Sequence, residues 1–401
     1  MRFVGLSTCL LIACAHAPPP VPPPSAAELA LQKAADYLLG EQSPDGAFRS
    51  KKYQALADGR ALTPMVLSTL LFAAKRPGLN GAYQKGADFV ASLVKDDGTL
   101  DEGPYGLEYP VYTLSLSILV LSVPVNQRHF GRRDTLLDAL ELRQLDEANG
   151  WSPADLAYGG FGYFPTRPVR PKDNPPDELL TSNLTSTTFS VGALLLGGRG
   201  LEEPRFKKAR TFVEKCQNFH EPPRGPFDDG GFFHTPNDEV PNKAGAQDGH
   251  FRSYGTTTAD GVRALLRLGV PRSSARVQAA SEWLLGHFDP EQVPGEYPPD
   301  REVFRDSGYY YWTWTAAHAL MQLGPQALTD PRTHNWPERL TEALLKRQRP
   351  DGSFVNSASD LREDDPLVAT SLAAAALSVA RLVRADHFTT AIPMEQAGGA
   401  Q

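Results

Sequence analysis

Two segments near opposite ends of the chain share one pattern, and that pattern limits the folds open to it. Leu38-Leu39-Gly40-Glu41-Gln42-Ser43-Pro44-Asp45-Gly46-Ala47-Phe48 and Leu344-Leu345-Lys346-Arg347-Gln348-Arg349-Pro350-Asp351-Gly352-Ser353-Phe354 both read L-L-x-x-Q-x-P-D-G-x-F. Each closes a stretch with apolar residues at helical spacing: Leu31, Ala34, Ala35 and Leu38 before the first, and Leu340, Ala343 and Leu344 before the second. Pro stops the helix, and Gly accepts the positive φ that turns the chain. The aromatic that follows can fold back on the helix just ended. A second, more apolar helix comes next, from Leu62 to Ala74 in the first unit and from Leu367 to Leu382 in the last.

Looser copies lie between. Tyr83 to Val94, Asp97-Gly98 and Val111 to Ser122 make a second unit. Asp134 to Glu147, Asn149-Gly150-Trp151 and Ser186 to Leu196 make a third. Arg205 to Asn218, Asp229-Gly230-Gly231-Phe232 and Thr257 to Leu268 make a fourth. Ala275 to Phe288 and Tyr311 to Leu323 make a fifth, without a clear turn motif. In several units the first helix is amphipathic and the second apolar nearly all round, so outer helices meet water and inner helices are enclosed. An open superhelix keeps a short fixed period, whereas this spacing varies from about 50 to 70 residues around long Gly/Pro-rich insertions. The expected fold is all-α: six helical hairpins closed into an (α/α)6 toroid over residues 28–384, followed by a disordered tail over 385–401.

The N-terminus carries a different signal. Arg2, then the apolar run Phe3 to Ala13, then Cys14 resemble a secretory signal ending in a bacterial lipobox. The run is too short to span a bilayer as a helix. Residues 1–14 are therefore expected to be a signal peptide ending at a lipidated Cys14, which anchors the chain to a membrane through acyl groups. Ala15, not Asp, follows the cysteine; in a Gram-negative host the resemblance to outer-membrane lipoproteins then implies the periplasmic face of the outer membrane. Pro18-Pro19-Pro20-Val21-Pro22-Pro23-Pro24, within a linker over 15–27, favours extended polyproline II, a spacer between anchor and body. Cys9 lies in the signal and Cys14 would carry lipid, so Cys216 is left without a disulfide partner and stability must come from core burial. A formal charge of −7 with no basic block argues against a nucleic-acid partner.

The Q-x-x-D-G-x-F units resemble the repeats of squalene–hopene cyclases, oxidosqualene cyclases and protein prenyltransferase β subunits, with Phe48 and Phe354 where the cyclases usually have Trp. Gly160-Phe161-Gly162-Tyr163, Ser182 to Thr188 and Ser253 to Ala259 resemble turns and inner-helix starts of the same family. That resemblance implies a toroid and, in the relatives, alkene or epoxide protonation by a D-x-D-D-T-A segment. The nearest segment here, Tyr254-Gly255-Thr256-Thr257-Thr258-Ala259, keeps Thr-Ala and lacks all three acids. Asp365, in Asp364-Asp365-Pro366, and Asp260 are the remaining candidate acids, although helix starts favour Asp anyway and a buried Asp is more often simply hydrogen-bonded. The prenyltransferases' zinc ligands are also missing. Cys216 falls in an outer helix, aromatic Tyr311 or Trp312 stands where a late His is expected, and His220, His234 and His250 match no compact zinc spacing. No metal and no cofactor are expected.

In such a toroid the inner-helix starts ring one mouth. Tyr112, Asn183, Tyr254, Thr257, Tyr309, Tyr310, Tyr311, Trp312 and His318 are the candidate ligand-cavity residues, with Trp314 in the same aromatic run. Rings there suit core packing or a pocket for an isoprenoid or a sugar. Three functions are compatible with this reading. One is a terpenoid-cyclase-like protein with an isoprenoid-type ligand. Another is a periplasmic glycan-active or glycan-binding toroid, which for hydrolysis needs two facing carboxylates. The last is a non-catalytic interaction scaffold.

Overall fold

The computed structural model describes residues 24–73, 78–171 and 181–383. The signal with Cys14, the polyproline run up to Pro23 and the tail over 385–401 lie outside the described residues. Fourteen α-helices stand among the described residues, and twelve of them form six outer–inner pairs. They are α1 (Ala26–Gly40) with α2 (Leu62–Leu70), α3 (Leu79–Ser92) with α4 (Pro110–Leu121), and α5 (Phe130–Glu141) with α6 (Leu184–Leu196). The other pairs are α7 (Pro204–Lys215) with α8 (Gly255–Arg267), α9 (Ala275–His287) with α11 (Tyr309–Leu323), and α13 (Trp336–Leu345) with α14 (Pro366–Leu382). Short α10 (Val303–Ser307) and α12 (Pro325–Thr329) sit in connections, and β1 (Ala246–Gln247) pairs antiparallel with β2 (His250–Phe251). Helix α1 begins inside the expected linker because the Ser25 hydroxyl caps it, accepting from Glu28 N–H at 3.2 Å.

The inner helices close on themselves. α2 packs on α4, α4 on α6, α6 on α8, α8 on α11, α11 on α14, and α14 returns to α2. α1 lies against α14 and α13, so the first outer helix covers the last inner one. This is an (α/α)6 toroid. One apolar core runs round the ring, and a satellite of Leu145, Trp151, Ala157, Tyr158 and Phe164 fills the third insertion.

A repeated device joins neighbouring units. Gln42 Nε2 donates to Gly46 O at 3.0 Å and to Ala82 O, at the start of the next outer helix, at 2.8 Å. Gln144 does the same to Gly159 and Arg205, Gln217 to Gly230 and Arg276, and Gln348 to Gly352 and Ala30. The N–H of the following Phe then donates to an inner-helix Thr: Phe48 to Thr63, Phe161 to Thr187, Phe232 to Thr258 and Phe354 to Thr370. The third turn therefore runs from Gln144 to Gly159 and Phe161, not through Asn149-Gly150-Trp151 as the sequence suggested. An insertion separates the Gln from its Gly, and Trp151 packs inside that insertion. α5 also ends at Glu141, short of the expected Glu147.

Candidate functional site

A cavity of about 370 Å³ occupies the middle of the ring. The first turns of all six inner helices contribute to its wall: Leu62 and Met65, Tyr112 and Thr113, Thr185, Thr256 and Thr257, Tyr311, and Val368. Those helices thus share one direction, with their N-termini at one mouth.

The wall has two textures. On the α4–α6–α11 side, aromatic rings form a continuous belt. Tyr109 meets Tyr112 with centroids 6.1 Å apart, Tyr112 meets Phe189 at 5.0 Å, Phe189 stacks on Trp314 at 5.4 Å, and Trp314 meets Tyr311 at 5.4 Å. Helical spacing explains it: Phe189 is four residues past Thr185, and Trp314 is three past Tyr311. On the α2–α14 side the wall is mostly aliphatic, with Met65, Val368, Leu372 and Ala375.

The polar groups gather at the mouth. A loop ahead of α8 is tied by Asn242, whose side chain accepts from His234 N–H at 2.7 Å and donates to Thr235 O at 2.8 Å. Leu184 N–H, at the start of α6, donates to His234 O at 2.8 Å and fixes the loop to the ring. The tie places His234 and Lys243 on the cavity wall. On the same wall, Glu363 caps α11 from another unit, accepting from Tyr311 N–H at 2.7 Å, Tyr310 N–H at 3.0 Å and Asn356 Nδ2 at 2.9 Å. Burial nonetheless raises its carboxyl from the ordinary value to about 7. Desolvation lowers Lys243 to about 8 and His234 to about 3, so that imidazole is neutral at physiological pH.

Two strained residues flank the opening. Tyr109 and Arg362 hold φ of 55° and 57°, and both line the cavity. Arg362 Nη2 donates to Glu108 Oε1 at 3.0 Å, clasping the segments that lead into α4 and α14.

Of the residues expected from sequence, Tyr112, Tyr254, Thr257 and Tyr311 line the cavity. Asn183 instead caps α6, accepting from Ser186 N–H at 2.8 Å. Tyr309, Tyr310 and Trp312 turn into the helix packing, where their polar atoms donate to the carbonyls of Pro290, Val355 and Asp289. His318 lies one turn beyond Trp314, 5.3 Å from its ring, where burial, and after it the charges of Arg263 and Arg267, hold the imidazole well below its ordinary pKa.

Neither candidate acid is on the cavity wall. Asp260 is fully buried beneath it and receives four donors: Thr315 Oγ1 at 2.6 Å, Tyr311 Oη at 2.7 Å, Thr185 Oγ1 at 3.0 Å and Arg263 Nη1 at 3.0 Å. It holds the floor of the belt in place. Asp365 caps α14, accepting from Leu367 N–H at 2.8 Å and from the Ser50 hydroxyl. Its neighbour Asp364 is engaged by Lys52 and by Tyr53 Oη, the latter at 2.6 Å. Sequence reasoning missed Tyr163, Phe189, His234, Lys243 and Glu363 as lining residues. Phe189 was within reach, because helical spacing puts it one turn beyond Thr185; Trp314, already counted in the aromatic run, is on the wall.

Among the described residues no three His, Cys, Asp or Glu side chains converge as metal ligands would. No single helix among them is long and apolar enough to cross a membrane.

No protein-family model matches the chain, and no curated protein matches it in sequence. Solved structures do match in shape. The type II terpene cyclase MstE from Scytonema, in complex with geranylgeranyl dihydroxybenzoate, aligns with a TM-score of 0.56 over 89% of this chain and 97% of the cyclase, at 13% identity. The GH76A α-1,6-mannanase from a Salegentibacter species aligns with a TM-score of 0.55 over 89% of this chain and 99% of the mannanase, at 11% identity. A protein from Actinoplanes aligns at 0.53 over 89% and 99%, at 15% identity. The shared property is the α/α toroid, which hosts unlike chemistries in these neighbours.

Proposed function

We propose that the protein is an exported, lipid-anchored toroid that binds an isoprenoid-type apolar molecule in its central cavity without turning it over. The supporting observation is the wall: an aromatic belt facing an aliphatic side, with Glu363 the single carboxylate among the described lining residues. Its volume falls within the range of small-molecule sites, about 300–1,000 Å³. Glycoside hydrolysis needs two carboxylates facing each other at about 5–10 Å, and one is too few. Alkene protonation needs a strong acid aimed at the double bond. Where the resemblance to the cyclases would put the motif's acids stand Tyr254, Thr256 and Thr257, and Thr257 spends its hydroxyl as donor to the Phe232 carbonyl. The cyclase neighbour was solved with geranylgeranyl dihydroxybenzoate as substrate, a molecule with a prenyl chain of the kind this reading favours.

Native mass spectrometry of the full chain against squalene, geranylgeraniol and an α-1,6-mannotriose separates the readings. Retention of a prenyl lipid, unaltered on recovery and weakened about tenfold by Trp314→Ala, is the expected result. Retention of the trisaccharide alone would sink the proposal. Anchoring is tested separately: Cys14→Ser should move the protein from the membrane fraction to the soluble one.

A further inference from the structure

Lys243 is, among the described residues, a cation without a paired counterpart. Among the described residues its ammonium makes no hydrogen bond or ion pair, and the nearest aromatic face, Phe304, is 5.9 Å from Nζ. The groups that act on its charge are Glu363 and Asp360 on the segment before α14 and His234 on its own loop, all without direct contact. Arg362, the other cationic side chain on the wall, is already paired with Glu108. An ammonium facing a largely apolar cavity without a partner is costly, and a bound anion removes that cost.

We propose that the cavity takes an amphiphile with one apolar chain and one carboxylate head, the head seated against Lys243 Nζ and the chain lying along the Tyr112–Phe189–Trp314 belt. This rests on the apolar-ligand reading and adds the head group to it. Charge sets the valence. Among the described lining residues one cation is free, His234 is neutral, and Glu363 and Asp360 stand nearby, so a single negative charge is balanced whereas a diphosphate head would be repelled. Protonated Glu363 keeps an O–H to offer the second head oxygen. The first turns of six inner helices face the same mouth, and their positive dipole ends favour an anion there.

The test measures Kd for paired probes of equal chain length, geranylgeraniol and geranylgeranoic acid, with geranylgeranyl diphosphate as a third arm. Wild type is compared with Lys243→Met, whose thermal midpoint should be unchanged or higher, because an unpartnered ammonium is removed. In the wild type at about pH 6 the acid should bind about ten- to a hundredfold more tightly than the alcohol. Lys243→Met should erase that preference while leaving the alcohol's Kd within about twofold, and the diphosphate should bind no better than the acid. Between about pH 6 and pH 9 the acid should weaken, since Glu363 gains charge through about 7 and Lys243 loses it through about 8, while the alcohol should not change. Equal binding of acid and alcohol, an equal loss of both in Lys243→Met, or a preference for diphosphate overturns the head-group assignment and leaves the apolar cavity standing. Binding of none of the three overturns both.

Discussion

Glu363 is held by two opposed influences, three N–H donors that favour its carboxylate and complete burial that favours its acid form. Burial wins, and its folded pKa of about 7 stands above the unfolded value near 4.5. Between those two values the folded state keeps a proton that the unfolded state has lost. Stability from this group is therefore full below about pH 4.5 and declines as pH rises to about 7, by about 3 kcal/mol in all. His234, lowered to about 3, works in the opposite direction between about pH 3 and 6.5, so the wild-type curve alone does not isolate Glu363. The difference in unfolding free energy between wild type and Glu363→Gln does. It should shift by about 3 kcal/mol against the wild type from pH 4.5 to pH 8 in urea titrations, and a difference flat with pH would refute the assignment. Asp260 offers a contrasting case, since its role is structural. Asp260→Ala strands the buried Arg263 guanidinium and three hydroxyl donors, and should cost about 3–5 kcal/mol in the same titrations. Both acids of interest before sequence met structure, Asp260 and Asp365, proved fully hydrogen-bonded. The carboxyl at the mouth is Glu363, two residues before Asp365. Nothing in a run of acids marks which one a neighbouring unit will bury, because that depends on the start of α11, some fifty residues away in the chain.

At the scale of the element, the Gln–Gly–Phe turn was the most legible part of the molecule. Its chemistry is local, and local chemistry leaves a pattern: Gln to bridge two carbonyls, Gly for a φ of 93° at Gly46 and 90° at Gly352, and Phe to cover the helix end. The third copy was misplaced because an insertion separates Gln144 from Gly159, and the nearest Asn-Gly-Trp looked like the missing motif. The structure adds a second reason for Gly that sequence does not show. A Cβ at Gly352 would collide with the Lys33 carbonyl of α1, as one at Gly46 would with Lys85 of α3. Gly198 shares the left-handed backbone, at φ 96°, but has open space around it. Gly198→Ala should thus cost only backbone strain, about 1 kcal/mol, whereas Gly352→Ala adds a displacement of α1 and should cost at least about 2 kcal/mol more. Equal losses in the two variants would mean that the turn glycines serve conformation alone.

Over the whole molecule, closure is the property that distinguishes this chain from an open array of the same hairpins. Variable spacing and matching terminal motifs pointed to it, while the cavity's polar mouth stayed hidden because Lys243 and His234 lie in insertions without periodicity. The seam is built from the same parts as the three other joints that carry the Gln bridge: α14 meets α2, α1 covers α14, and Gln348 reaches Ala30 O at 2.8 Å. What differs is that this joint links residues 318 positions apart, so closing it carries the largest loop-closure cost of the four Gln-bridged joints. An open solenoid frays from its ends, since each repeat leans only on its neighbours. In a closed ring α1 should instead exchange its amide hydrogens at rates close to those of α6, on the opposite side. Gln348→Ala and Gln144→Ala remove identical side-chain bonds, and each should lower global stability by about 1–3 kcal/mol. Only the seam variant should let α1 open ahead of the rest, raising its exchange by tenfold or more (about 1.4 kcal/mol of local stability) while α6 follows the global change. Faster exchange of α1 than of α6 in the wild type itself would show a ring that is closed in form and open in energy.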